Sequence, residues 1–152
     1  MGPIELADVV GLDVIMSVGK VFFQETAAPS TLVQLVEQKK LGKKTGAGFY
    51  TWHEGKPQKP SVGGRPIPED LQDRLILSLV NEAVAVLREQ VVADADLVDA
   101  GVIFGTGFAP FRGGPLQYAK NRGVQTVIDR LRELESRYGE RFRPDPGWQQ
   151  LA

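Results

Sequence analysis

Apolar residues recur along the chain mostly at helical spacing, in blocks separated by glycine and proline. Ile4, Leu6, Val9 and Val10 give the inward side of a short first helix. Gly2-Pro3 opens it, with proline at the first helical position, where a missing N–H does no harm. Glu5 complements the dipole of that first turn, and Gly11 ends the helix. Asp13 is placed to cap a second helix from Val14 to Glu25, with Val14, Ile15, Val18, Val21 and Phe22 at helical spacing. After Pro29-Ser30 a third helix, Thr31 to Lys40, buries Leu32, Leu35 and Val36. Leu41 to Gly48 reads as a loop with three glycines and two lysines. Phe49 to Trp52 has strand character, and His53 to Lys56 reads as a turn.

From Pro57 to Pro68 the pattern lapses into prolines and glycines, which predicts a surface linker. Periodicity then resumes in the longest helix, Pro68 to about Glu89. Leu75, Ile76, Leu77, Leu79, Val80, Ala83, Val84, Val86 and Leu87 cover most of its circumference. Only a stripe through Arg74, Ser78, Asn81 and Arg88 is polar, so this helix must be covered on most sides. Asp94 or Asp96 caps the next helix, which ends near Phe104-Gly105. Gly114-Pro115 opens a short one, and Val124 to Tyr138 is amphipathic through Val127, Ile128, Leu131 and Leu134. Phe142, Pro144, Pro146 and Trp148 form an irregular tail that packs back. With about eight helices and one brief extended segment, the predicted class is all-α.

The chain also repeats itself. Positions 2 and 114, 3 and 115, 7 and 119, and 11 and 123 carry the same residue pairwise: Gly, Pro, Ala and Gly, always 112 apart. Ile4 and Leu116, and Leu6 and Tyr118, keep the apolar character at that offset. A single offset over so many matches implies two related helical units. The second has a long helix and a capped helix before its Gly-Pro helix, and the first lacks them, so the first unit is expected to be truncated. The boundaries this gives are 1–56 for the first unit, 57–67 for the linker and 68–152 for the second. Missing helices would leave core surface exposed around Ile4, Leu6 and Val10. With the apolar breadth of the long helix, that points to a homo-oligomer.

Composition narrows the chemistry. Eighteen basic and nineteen acidic side chains give a net charge of −1, which provides no basic field for nucleic acid. No cysteine and a single histidine exclude disulfides, thiolate chemistry and a histidine-rich metal site. No apolar run is long enough to span a membrane. Glu5 and Asp8 interrupt the N-terminal apolar residues, and no basic start precedes them, so a signal peptide is not expected and the chain is expected to be cytoplasmic. Gly105-Thr106-Gly107 lacks the preceding strand and third glycine of a dinucleotide fingerprint.

The stretches MGPIELADVVGLD, KKTGAGFYTW, LVNEA and FGTGFAPFRGGPLQYA, in that order, resemble the C-terminal region of 3-hydroxyacyl-CoA dehydrogenases. More closely, they resemble the multifunctional α subunit of bacterial fatty acid β-oxidation complexes. It covers Gly2 to about Phe142, and its one departure is Ala109, where the family usually has proline. The resemblance implies a fold of the 6-phosphogluconate dehydrogenase C-terminal type, in tandem. It implies a parent enzyme that oxidises 3-hydroxyacyl-CoA with NAD through a His–Glu pair in or beside a Rossmann domain. That domain and an enoyl-CoA hydratase domain would lie upstream, and a thiolase subunit is a possible partner. The chain itself is then a C-terminal fragment with no catalytic residues and no bound cofactor or metal, serving to close the substrate cleft and to offer assembly surface.

Three groups remain as candidates. Gly2 and Pro3 start a helix that, by the resemblance, faces the cleft near the acyl end of the substrate, where free N–H groups could meet a polar or anionic group. A plain inter-helix turn explains the same residues. Lys43 and Lys44, with Lys39 and Lys40, could contact coenzyme A phosphates as point charges, or simply complement a helix C-terminus. His53 reads as an ordinary turn histidine, and Asn81 as an amide satisfying the backbone of a neighbouring loop. Two other readings compete with the enzyme fragment. One is a free-standing helical interaction module, and the other is a CoA-binding accessory protein dependent on the Lys43-Lys44 loop.

Overall fold

In the computed structural model, residues 1–22, 30–61, 63 and 66–151 are described. They fall into two units, Met1–Arg65 and Pro66–Ala152. Seven α-helices, four short 3₁₀ turns and one small hairpin are present among the described residues. The all-α class is correct.

In the first unit α1 spans Pro3–Val10, α2 Leu12–Phe22 and α3 Ser30–Glu37. Gly11, at φ +106, makes the corner between α1 and α2, where an L side chain would be strained. Asp13 is not the cap expected of it. Helix α2 already starts at Leu12, and Asp13 lies inside its first turn. The expected end of that helix at Glu25 lies outside the described residues.

The extended segment is a two-stranded antiparallel hairpin. Its strands are β1 (Thr51–His53) and β2 (Lys56–Gln58), with His53 opposite Lys56 and Trp52 opposite Pro57. Glu54 at φ +50 and Gly55 at φ +75 supply the paired positive torsions that a two-residue hairpin turn needs. The strand lies at Thr51–His53 rather than at Phe49–Trp52, the turn narrows to Glu54-Gly55, and β2 takes up the start of the stretch read as linker.

The second unit consists of α4 (Leu71–Arg88), α5 (Ala95–Thr106), α6 (Pro115–Arg122) and α7 (Val124–Tyr138), followed by a tail of two 3₁₀ turns. Of the two residues offered as cap, Asp94 caps α5, its carboxylate accepting from Leu97 N–H, and Asp96 lies inside the first turn. Gly107, left-handed at φ +73, closes that helix two residues later than the sequence suggested. Leu77, Val80, Val84, Leu116, Val127, Leu131 and Leu134 form one core, with Phe142 and Trp148 of the tail packed into it. Asn81 fixes that tail. Its amide donates to Arg143 carbonyl, and its oxygen accepts from Asp145 N–H and from the Trp148 indole. Burying such groups with partners avoids the desolvation penalty of leaving them bare.

Units one and two share their local geometry at the 112-residue offset. Both Gly-Pro helices are eight residues long. Gly11 and Gly123 have matching torsions, φ +106 and ψ 127 against φ +93 and ψ 112. Their burial differs, and here one expectation fails. Ile4, Leu6, Val9 and Val10 do not face inward: each is at least 40% exposed, while Leu116 is 1% exposed. In the second unit α4 and α5 cover α6. The first unit has no such pair among its described residues, and exposure around Ile4, Leu6 and Val10 is what the repeat anticipates.

Candidate functional site

The first unit is organised around Asp8. This residue of α1 is fully buried. Its carboxylate accepts from Phe49 N–H at 2.8 Å, Tyr50 N–H at 2.9 Å and the Trp52 indole N–H at 2.9 Å. A buried charge is tolerated only when its lone pairs are satisfied, and three donors do that here. Two glycines let it approach. A Cβ at Gly42 would lie 2.2 Å from Asp8 carbonyl oxygen, and one at Gly48 2.2 Å from its Oδ1. The loop from Leu41 to Trp52 is therefore latched to α1 through one side chain.

That latch places the lysines. Lys43 extends over the Trp52 ring, 5.7 Å from its centroid. Lys44 donates to both oxygens of Asp13 at 2.7 Å. The Lys44 ammonium holds the Asp13 carboxyl below its ordinary value, as Lys59 does for Glu5 at 2.7 Å. Lys44 sits at the Gly11 end of α1, and Gly2 and Pro3 at its other end. An eight-residue helix is about 12 Å long, so the two candidate groups are not brought together. His53 lies exposed on β1, opposite Lys56.

At Gly2-Pro3 the first backbone bond of α1 runs from Leu6 N–H to Gly2 carbonyl. The N–H groups of Ile4 and Glu5 have no acceptor among the described residues. The matching place in the second unit is filled. Asp99, carried by α5, accepts from Leu116 N–H at 2.7 Å and Gln117 N–H at 3.0 Å. Those two residues lie 112 positions after Ile4 and Glu5. One helix start is thus capped by a buried carboxylate, and its counterpart is open.

Sequence reading missed both aspartates. Asp8 was noticed only as a charge in an apolar stretch. The signal that could have found it is the pair Gly42 and Gly48, small residues ahead of an aromatic run, where the backbone can meet another chain segment closely.

Among the described residues, no group of three or more His, Cys, Asp or Glu is placed to hold a metal ion. No helix among them is long and apolar enough to cross a membrane. A shallow groove at the start of α4, lined by Ile67, Pro68, Leu71, Leu75 and Ile76, contains only Glu69 as a titratable group.

Residues 1–52 match the family profile described as 3-hydroxyacyl-CoA dehydrogenase, C-terminal domain. Over 99% of its length the chain is 34% identical to the fatty acid oxidation complex subunit alpha of Idiomarina loihiensis. Over 97% it is 32% identical to the subunit of the same name from Vibrio cholerae. It spans 23% of the length of each of these relatives. Among solved structures, 3-hydroxybutyryl-CoA dehydrogenase from Escherichia coli superposes with a TM-score of 0.71 at 21% identity, over 99% of this chain and 50% of that one. The dehydrogenase part of multifunctional enzyme 1 from C. elegans gives 0.71 at 22% identity, over the whole of this chain and 39% of that one. These two likenesses establish the fold. With the family profile and the curated relatives, the resemblance to the C-terminal region of 3-hydroxyacyl-CoA dehydrogenases holds.

Proposed function

We propose that this chain, similar along its length to fatty acid oxidation complex α subunits, is the helical C-terminal portion of an NAD-dependent 3-hydroxyacyl-CoA dehydrogenase acting in fatty acid β-oxidation. The observation that carries the reading is the family match over residues 1–52, on the stretch that contains the first Gly-Pro helix, Asp8 and the loop it latches. In this reading the hydride transfer takes place upstream, in a Rossmann domain that binds NAD, and an enoyl-CoA hydratase domain lies on the same polypeptide. The helical units close the acyl-CoA cleft and provide assembly surface, and the open end of α1 at Gly2-Pro3 lies at the boundary with the upstream domains. Lys43 is the lysine of its pair left to meet a coenzyme A phosphate, because Lys44 is engaged by Asp13. A homo-oligomer, and docking of a thiolase subunit, belong to the same proposal, as does a cytoplasmic location.

What the helical units contribute is exclusion of water and positioning. A closed cleft strengthens every electrostatic interaction within it and holds the reacting atoms in line. Removing these 152 residues from the parent enzyme should therefore lower acetoacetyl-CoA reduction by NADH at least about 100-fold, while NADH binding persists. The isolated chain should show neither turnover nor NADH binding in calorimetry. Undiminished turnover by the shortened parent would overturn the cleft role. Turnover by the isolated chain would overturn the assignment of the chemistry upstream.

The reading that competes is a free-standing interaction module. The exposed apolar residues of α1 and α2, among them Ile4, Leu6, Val14 and Val18, favour it. It would predict a stable partner complex with no effect on dehydrogenase turnover.

A further inference from the structure

We infer that the outer face of α5, with the turn after it, pairs with the same surface of a second copy, the two α5 helices lying antiparallel about a two-fold axis. The pairing rests on the homo-oligomer proposed above, gives it a surface, and needs nothing of the dehydrogenase chemistry.

Two phenylalanines stand bare here. Phe104, in the last turn of α5, is 89% exposed, and Phe111, in the turn that follows, is 85% exposed. Leu97 lies seven residues before Phe104, on the same helix face, and is 50% exposed. Single exposed apolar residues are ordinary, but a strip with two bare rings has the composition of an interface.

The charges at its two ends say what covers it. The Arg112 guanidinium lies 5.4 Å from the Phe111 ring centroid and 5.8 Å from that of Tyr118. The Tyr118 hydroxyl accepts from Arg122, which Asp73 holds in turn, so the ring beside Arg112 is fixed. Seven other arginines of the second unit are ion-paired. Arg112 has no carboxylate partner among the described residues. An ordered, unpaired guanidinium beside bare rings fits a carboxylate next to an apolar side chain, and little side-chain freedom is lost when it binds one. This chain offers such a pair. Asp96 and Leu97 are both exposed in the first turn of the same helix, and Asp96 has no cationic partner among the described residues.

The strip is thus its own complement, end for end. Its acid and its leucine lie at the start of α5, its rings and its guanidinium at the finish. In an antiparallel pair Leu97 of each copy meets Phe104 of the other, and Asp96 of each faces Arg112 of the other. Every contact then occurs twice, as a two-fold interface requires. Gly101 lies between Leu97 and Phe104 on that face, and a Cβ there would touch nothing in the chain. Within its own unit this glycine only weakens the helix relative to alanine. At a helix crossing it lets the two axes come close.

Sedimentation velocity over a concentration series of the 152-residue chain tests the pairing. Asp96→Arg and Arg112→Asp should each raise the dimer dissociation constant at least about tenfold, and the double variant should restore it, because the pair is then reversed and not lost. Gly101→Leu should weaken the dimer as well. In the monomer the same change should raise the urea midpoint read by Trp148, since leucine is the better helix former. All three positions are exposed, so folding is not at stake in these variants. A dimer that tolerates every one of these substitutions would overturn the α5 surface and leave the homo-oligomer standing. A double variant as weak as the single ones would overturn the antiparallel pairing. A chain that stays monomeric at every concentration would overturn the surface and the homo-oligomer together.

Discussion

The two Gly-Pro helices, α1 and α6, have the same length, the same proline at the first helical position and the same glycine corner at the end. Yet Leu116 is buried and Ile4 is half exposed. Local signals decide that a helix forms and where it stops. They do not decide which of its faces is covered, because that depends on what packs against it. The buried carboxylates make the same point. Asp99 caps the helix it packs on, and Asp8 instead reaches out of its own helix to hold a loop. At the position of Asp8 the second unit has Lys120, which is exposed.

The sharpest way to break this comparison is to put a methyl group on each leading glycine. Gly114→Ala combines a forbidden torsion with overlap onto Asp99 and should destabilise the second unit by roughly 3–5 kcal/mol. Gly2→Ala should change the first unit by less than about 0.5 kcal/mol. The two tryptophans separate the readouts, since Trp52 reports the first unit and Trp148 the second. Urea unfolding followed in single-tryptophan variants would give both numbers. Equal effects would mean that the open end of α1 is not open.

Asp8→Ala should come next, at about 3 kcal/mol, because it strands three partly buried N–H donors at once. The loss should appear in Trp52 emission, with Trp148 unmoved. Asp99→Ala should have the smaller effect, about 2 kcal/mol, since two helix-terminal N–H groups lose their cap. A larger loss at Asp99 than at Asp8 would invert the picture of the first unit as latched through one residue.

These contrasts mark what the sequence made legible. Seven helices, the Asp94 cap and the role of Asn81 followed from spacing and from residue chemistry near in sequence. The repeat at 112 residues followed from identity alone. Asp8 did not, because its partners Phe49, Tyr50 and Trp52 lie more than forty residues away. No periodicity encodes such a contact. The face of α1 was misjudged for the same reason: an apolar stripe predicts burial only if a covering element is present. At Gly2-Pro3 the sequence offers a cleft-facing helix start and a plain turn, and the carboxylate of Asp99 at the matching place in the second unit comes from a different helix, seventeen residues before Leu116, so no local pattern announces it.

Acid should separate the units more gently. The Arg122 guanidinium, with Arg130 beside it, holds the Asp73 carboxyl below its ordinary value against an opposing effect of partial burial. Burial pushes Asp145 up, but Arg88 and Gly147 N–H outweigh it, and it too lies low. A carboxyl lowered in the folded state stabilises it above the unfolded value, about 3.9. That contribution fades as pH falls through this value towards the folded one. The urea midpoint read by Trp148 should therefore drop between pH 6 and pH 3, and Asp73→Asn should remove part of the drop. A midpoint independent of pH would mean that these pairs contribute nothing to the second unit.

The smallest effect is expected where the geometry is most conspicuous. Lys44 makes two 2.7 Å bonds to Asp13, but both side chains are about half exposed, and exposed pairs give back in desolvation and side-chain entropy most of what they gain. Lys44→Ala should leave the Trp52 midpoint where it is. The Asp13 carboxyl should nevertheless titrate higher, nearer its ordinary value, once the ammonium is gone, and carboxyl NMR shifts would follow it. If the midpoint falls together with that titration, the ion pair shares with Asp8 the work of holding the loop to the α1–α2 corner. If only the titration moves, the buried carboxylate holds the loop, and Lys44 does no more than set the charge of its neighbour.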